Sequence, residues 1–197
     1  MNVIGLPQFK EPPRSVDGLS VKTFSCPNSQ FSTQVFLYAD VLEEMIFGVR
    51  ERDTYGMLVG TYSILPIEKR GNKPGDPLDF IEVTAFKDVY PCGGALEYAE
   101  YLRKRRNFRT PDGVNPVMGL LVAKKEGIRP TMEDLMLMRS YFADQMQIVL
   151  YVSDTGVIPK VYVLGDMYES FVEIGYSVVH EVGVALPFGE ESIWQKS

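Results

Sequence analysis

Apolar positions along the chain fall into two periods, and their alternation outlines the elements. Val35-Phe-Leu-Tyr38 is a short apolar run followed by Asp40, a residue type that caps helices. Val41, Leu42, Met45, Ile46 and Val49 then recur at helical spacing, which predicts an amphipathic helix. Residues 57–65 read as a buried strand, residues 69–77 as a long turn region, and residues 80–86 as a β-branched strand. Pro91-Cys-Gly-Gly94 breaks the chain before a helix from 95 to about 106, where Glu100 precedes Lys104 by four residues. A strand at 117–123 and a helix at about 132–143 follow, and three strands at 147–152, 160–164 and 171–179 close the pattern. Strands outnumber helices and hairpin-like spacings fill the last third. The expected class is therefore α+β, not a doubly wound α/β fold.

Residues 1–33 are rich in Pro, Ser, Gly and Asn, so they read as an extended N-terminal arm. Residues 34–183 form the expected domain, and residues 184–197 a C-terminal tail holding the only tryptophan, Trp194.

Several short segments, taken in order, resemble the JAB/MPN/JAMM domain family. Asp53-Thr-Tyr-Gly56-Met-Leu-Val-Gly60 is similar to that family's Glu-x-x-Gly-Leu-Leu-x-Gly strand. Thr131-Met-Glu-Asp134 stands where its Ser-x-x-Asp opens a helix, and Asp134 to Phe142 matches the helix itself. Gln147 to Asp154 is similar to the strand and turn that follow. The resemblance spans roughly residues 34–180 and implies a mixed sheet curled around and flanked by two or three helices, an architecture of the cytidine deaminase type.

Active members of that family hold zinc on two histidines and the aspartate, leaving an open position for water. An upstream glutamate serves as general base. In this chain the glutamate slot is Asp53, the serine slot Thr131 and the aspartate slot Asp134, whereas the histidine slots fall on Val122 and Lys124. The loop from Lys124 to Thr131 is about two residues shorter than the family's, and residues 114–134 contain no histidine or cysteine. A valine offers no donor and an ammonium repels a cation. The resemblance therefore implies a dismantled site with no metal and no cofactor, in which Lys124 pairs with Asp134 or Asp53 or stands as a solvated loop lysine. It also implies a pseudoenzyme that acts as a scaffold, assembling with itself or a related subunit.

Composition narrows the alternatives. The net charge of −6 disfavours general attraction to nucleic acid or anionic lipid. No run approaches the ~18 apolar residues of a membrane span, and residues 1–10 lack the pattern of a secretory signal. With two cysteines, Cys26 and Cys92, in no metal or disulfide spacing, a cytoplasmic setting is expected.

Competing chemistry remains at three places. Cys92 near a helix start, with the single histidine, His180, as base, defines a possible hydrolase. A metallopeptidase with ligands elsewhere is a second enzyme reading. Arg103-Lys-Arg-Arg106 with Arg109 is a positive cluster that suits phosphate, an acidic partner or simply a solvated helix end. Partner-binding positions proposed from composition are Ile46 and Met136 on helix faces and Phe188 and Trp194 in the tail. For Met132, Met136 and Met138, packing on the domain's own sheet is the favoured reading over a partner groove.

Overall fold

The computed structural model describes residues 19–26, 33–48, 52–64, 79–105, 117–125, 129–142, 147–165, 169–183, 186 and 188. Val49, Arg106, Arg109, Trp194 and most of the expected arm and tail lie outside the described residues. The elements in chain order are β1 (Leu19–Phe24), β2 (Thr33–Tyr38), α1 (Ala39–Phe47), β3 (Thr54–Ile64), β4 (Asp79–Pro91) and α2 (Ala95–Lys104). They continue as β5 (Val117–Lys124), α3 (Met132–Tyr141), β6 (Ile148–Ser153), β7 (Lys160–Leu164), β8 (Phe171–Ile174) and β9 (Tyr176–Glu181).

All nine strands join one sheet in the order β1-β9-β2-β4-β3-β5-β6-β7-β8. The sheet is mixed and curls into a half-barrel that carries three short helices. This overturns the expected helix-flanked α+β architecture: strand is the dominant element, and no helix exceeds ten described residues. The discrepancy has identifiable sources. Residues 19–24, expected in an arm, form β1 and pair antiparallel with β9 from Leu19↔Glu181 to Phe24↔Tyr176. The run expected as one strand at 171–179 is two strands, because Gly175 lies against the backbone after β1. A Cβ there would stand 2.9 Å from the Phe24 carbonyl oxygen. β4 also continues through Pro91, well past the β-branched stretch that announced it.

The central strands β5 and β6 are buried on both faces, which is why they read as unbroken apolar runs. Alternate residues serve different layers. Leu121, Leu150 and Val163 meet Leu42 and Met45 of α1 on one face. On the other, Val122, Val149 and Tyr151 meet Tyr98 and Leu102 of α2 and Leu137 and Met138 of α3. Each fully buried side chain of this size contributes about 1.5–3 kcal/mol, so both layers are needed to hold so large a sheet.

The connections fix the helix directions. β3 is antiparallel to both β4 and β5, so β4 and β5 run the same way, and α2 crosses between them. β5 and β6 are parallel, and α3 crosses between them. Both helices therefore run against β5 and alongside each other. Gly119 permits the close approach of β5 and β6: its φ is +150°, and a Cβ there would lie 1.8 Å from the Ile148 carbonyl oxygen. Gly119→Ala combines backbone strain with a main-chain clash, each costing about 1–3 kcal/mol. The substitution is expected to lower the urea midpoint sharply or abolish folding; an unchanged midpoint would show that β5 and β6 separate easily.

Candidate functional site

The most elaborate polar cluster among the described residues surrounds Asp134, whose exposure is 0%. Thr131 caps α3: its hydroxyl accepts the Asp134 N–H at 3.2 Å, while Asp134 Oδ2 accepts the Thr131 N–H at 2.9 Å. This reciprocal box satisfies two N–H groups that a helix start leaves unpaired. It also aims the carboxylate at the sheet.

Three strands supply its remaining partners. Tyr55 on β3 donates its hydroxyl to Oδ1 at 2.7 Å, and Tyr151 on β6 donates to Oδ2 at 2.8 Å. Lys124, at the end of β5, brings Nζ to 3.1 Å from Oδ2. Leu120, Val122 and Lys124 alternate onto the α2/α3 face of β5. Register then sets Val122 directly between Tyr55 and Tyr151. Val122 is wholly buried and packs between the two aromatic strands without contributing a polar atom.

Burial acts to raise the Asp134 pKa, but the Tyr55 hydroxyl, the Lys124 charge and the Thr131 bonds outweigh it. The result lies below the usual carboxylate value. Burial first, and then the same carboxylate, pushes the Tyr55 and Tyr151 phenols far above theirs. Lys124 Nζ also stands 5.5 Å from the centre of the Tyr151 ring.

Asp53 lies just before β3 at the rim of this cluster, where its carboxylate accepts the Lys125 N–H at 3.1 Å. Thus Asp53, Val122, Lys124, Thr131 and Asp134 gather around the end of β5, and of the alternatives open to Lys124, the ion pair with Asp134 is the one formed. Sequence reasoning did not single out Tyr55 and Tyr151. Their place in register with Val122 was the available signal, visible only once the strands are paired.

These residues do not fit the zinc ion that the family resemblance would bring. Val122 has no donor atom, and the ammonium of Lys124 lies against the one central carboxylate, both of whose oxygens accept hydrogen bonds. Among the described residues, no group of three or more His, Cys, Asp or Glu side chains is placed to hold a metal.

Cys92 borders the cluster through its N–H, which donates to the Asp53 carbonyl at 2.9 Å. Its thiol is buried, donates to the Gly94 carbonyl, and is pushed up to about 11, chiefly by burial. His180 is on β9, two strands away from β4, with Nδ1 against the Glu181 carbonyl. By register it sits roughly 20 Å along the strand direction from Cys92 at 3.3 Å per residue. The structure does not bring the two together.

The remaining sequence candidates divide. Phe188 is buried and meets the Phe24 ring edge-on at 5.7 Å, so it belongs to the core and not to a free docking surface. Ile46 is partly buried against the α1 layer. Met138 is in the core, but Met132 and Met136 are 70% and 55% exposed, against the expectation that they pack on the sheet. In the basic cluster, Arg105 is committed to Asp88 and Tyr101.

No family model matches the chain, and no curated protein matches it either.

Two outcomes test the cluster. Lys124→Met strips the buried carboxylate of its countercharge, and breaking one side of a buried pair costs about 3–5 kcal/mol. Urea unfolding is expected to show that loss, with Lys124→Arg retaining more stability than Lys124→Met; equal midpoints for Lys124→Met and wild type would remove the pair as a structural element.

The pH dependence has opposite signs at the two ends. Asp134 has a depressed folded pKa, so its contribution is complete above the unfolded carboxylate value near 4 and is lost as pH falls through the folded value. Tyr55 and Tyr151 have raised folded values, so their contribution is complete below the unfolded phenol value near 10 and declines above it. Phenolate absorbance of these two tyrosines is expected to appear only with unfolding; free titration near pH 10 in the folded protein would contradict their burial.

Proposed function

We propose that this chain is a non-catalytic interaction subunit, a scaffold that assembles with another protein chain. The observation that carries the reading is the closure of Asp134. Its carboxylate is wholly buried, and both oxygens accept hydrogen bonds from within the domain. A general base or a metal ligand needs at least one oxygen that can turn to a substrate, water or ion. Here, turning toward any of them first requires breaking an internal bond.

The nearest nucleophile offers no alternative chemistry. Cys92 is held as a buried thiol, with no imidazole beside it to take its proton. The features turned to solvent are of a different kind: exposed apolar side chains on α2 and α3, which suit protein contact better than catalysis.

The test uses the full chain, tagged and produced at native level in its own cells. A stoichiometric assembly is expected, and Cys92→Ala and Asp53→Asn variants should enter it and replace wild type in growth. A Cys92→Ala or Asp53→Asn chain that folds and assembles normally yet fails to replace wild type would overturn the scaffold reading in favour of an enzyme.

A further inference from the structure

We draw no further inference here: the strongest candidate, the exposed apolar side chains of Leu96, Met132 and Met136 on the outer face of the α2/α3 helix pair, carries nothing, because nothing in the structure shows what covers that face.

Discussion

The carboxylate of Asp134 is the constraint around which one side of this domain is arranged. Taking an ionised group wholly out of water costs several kcal/mol even after the protein relaxes. The cost is tolerable here because the donors come from every neighbouring element: the helix cap on α3, Lys124 on β5, Tyr55 on β3 and Tyr151 on β6. None of these can move far without leaving a buried polar atom unpaired. The network therefore fixes the position of α3 over three strands at once. Such networks are weak sources of net stability, since a well-packed apolar centre of equal volume often does as well. Their consequence is geometric: only one register of strands and helix satisfies every donor.

An aromatic layer extends that constraint outward. Tyr55 stacks with Tyr98 of α2 at 5.6 Å, Tyr98 stacks with Tyr101 at 5.8 Å, and Tyr101 stacks with Tyr90 of β4 at 4.5 Å. Arg105 closes the outer end against Asp88 and the Tyr101 ring. The position of α2 is thereby coupled, ring by ring, to the residue that anchors α3. The two helices are held as a pair by the sheet beneath them. An arrangement this closed leaves Cys92 as a small buried thiol inside the packing, remote from the single histidine.

How much of this was legible in the sequence depends on the range of the interaction involved. Periodicity placed α2, β5, α3 and β7 to within two residues at either end, because their apolar patterns are local. Asp40 was expected to cap α1, yet the helix begins at Ala39 with no side-chain cap from Tyr38, so packing of Leu42 and Met45 decides its start. β1 was hidden because its alternating Leu19 and Val21 are embedded in Pro- and Asn-rich sequence, and its strand partner among the described residues, β9, is more than 150 residues away. The fold class failed for the same reason: a sheet's extent is set by long-range pairing, which a single chain pattern does not reveal. At the site, the Lys124–Asp134 pair was one of three alternatives that the family slots offered, beside Asp53 and a solvated loop lysine, and the paired strands decide among them. The two tyrosines were not anticipated, since nothing local links Tyr55 or Tyr151 to Asp134.

The charges and the apolar residues of the α2/α3 face have different explanations. Helix macrodipoles alone favour acidic first turns and basic last turns, by about 0.3–1 kcal/mol each at exposed positions. Glu97, Glu133, Arg103 and Arg139 would suit two solvated helices with no partner at all. The apolar residues at positions 96, 132 and 136 are exposed, as scattered apolar side chains on a folded surface commonly are, and they contribute nothing to the packing beneath. The buried side of α3 is already complete without them: Leu135, Leu137 and Met138 fill it, and Asp134 locks it. Helix polarity thus accounts for the direction of the charges, and the exposed side chains at 96, 132 and 136 take no part in the packing that seats the two helices.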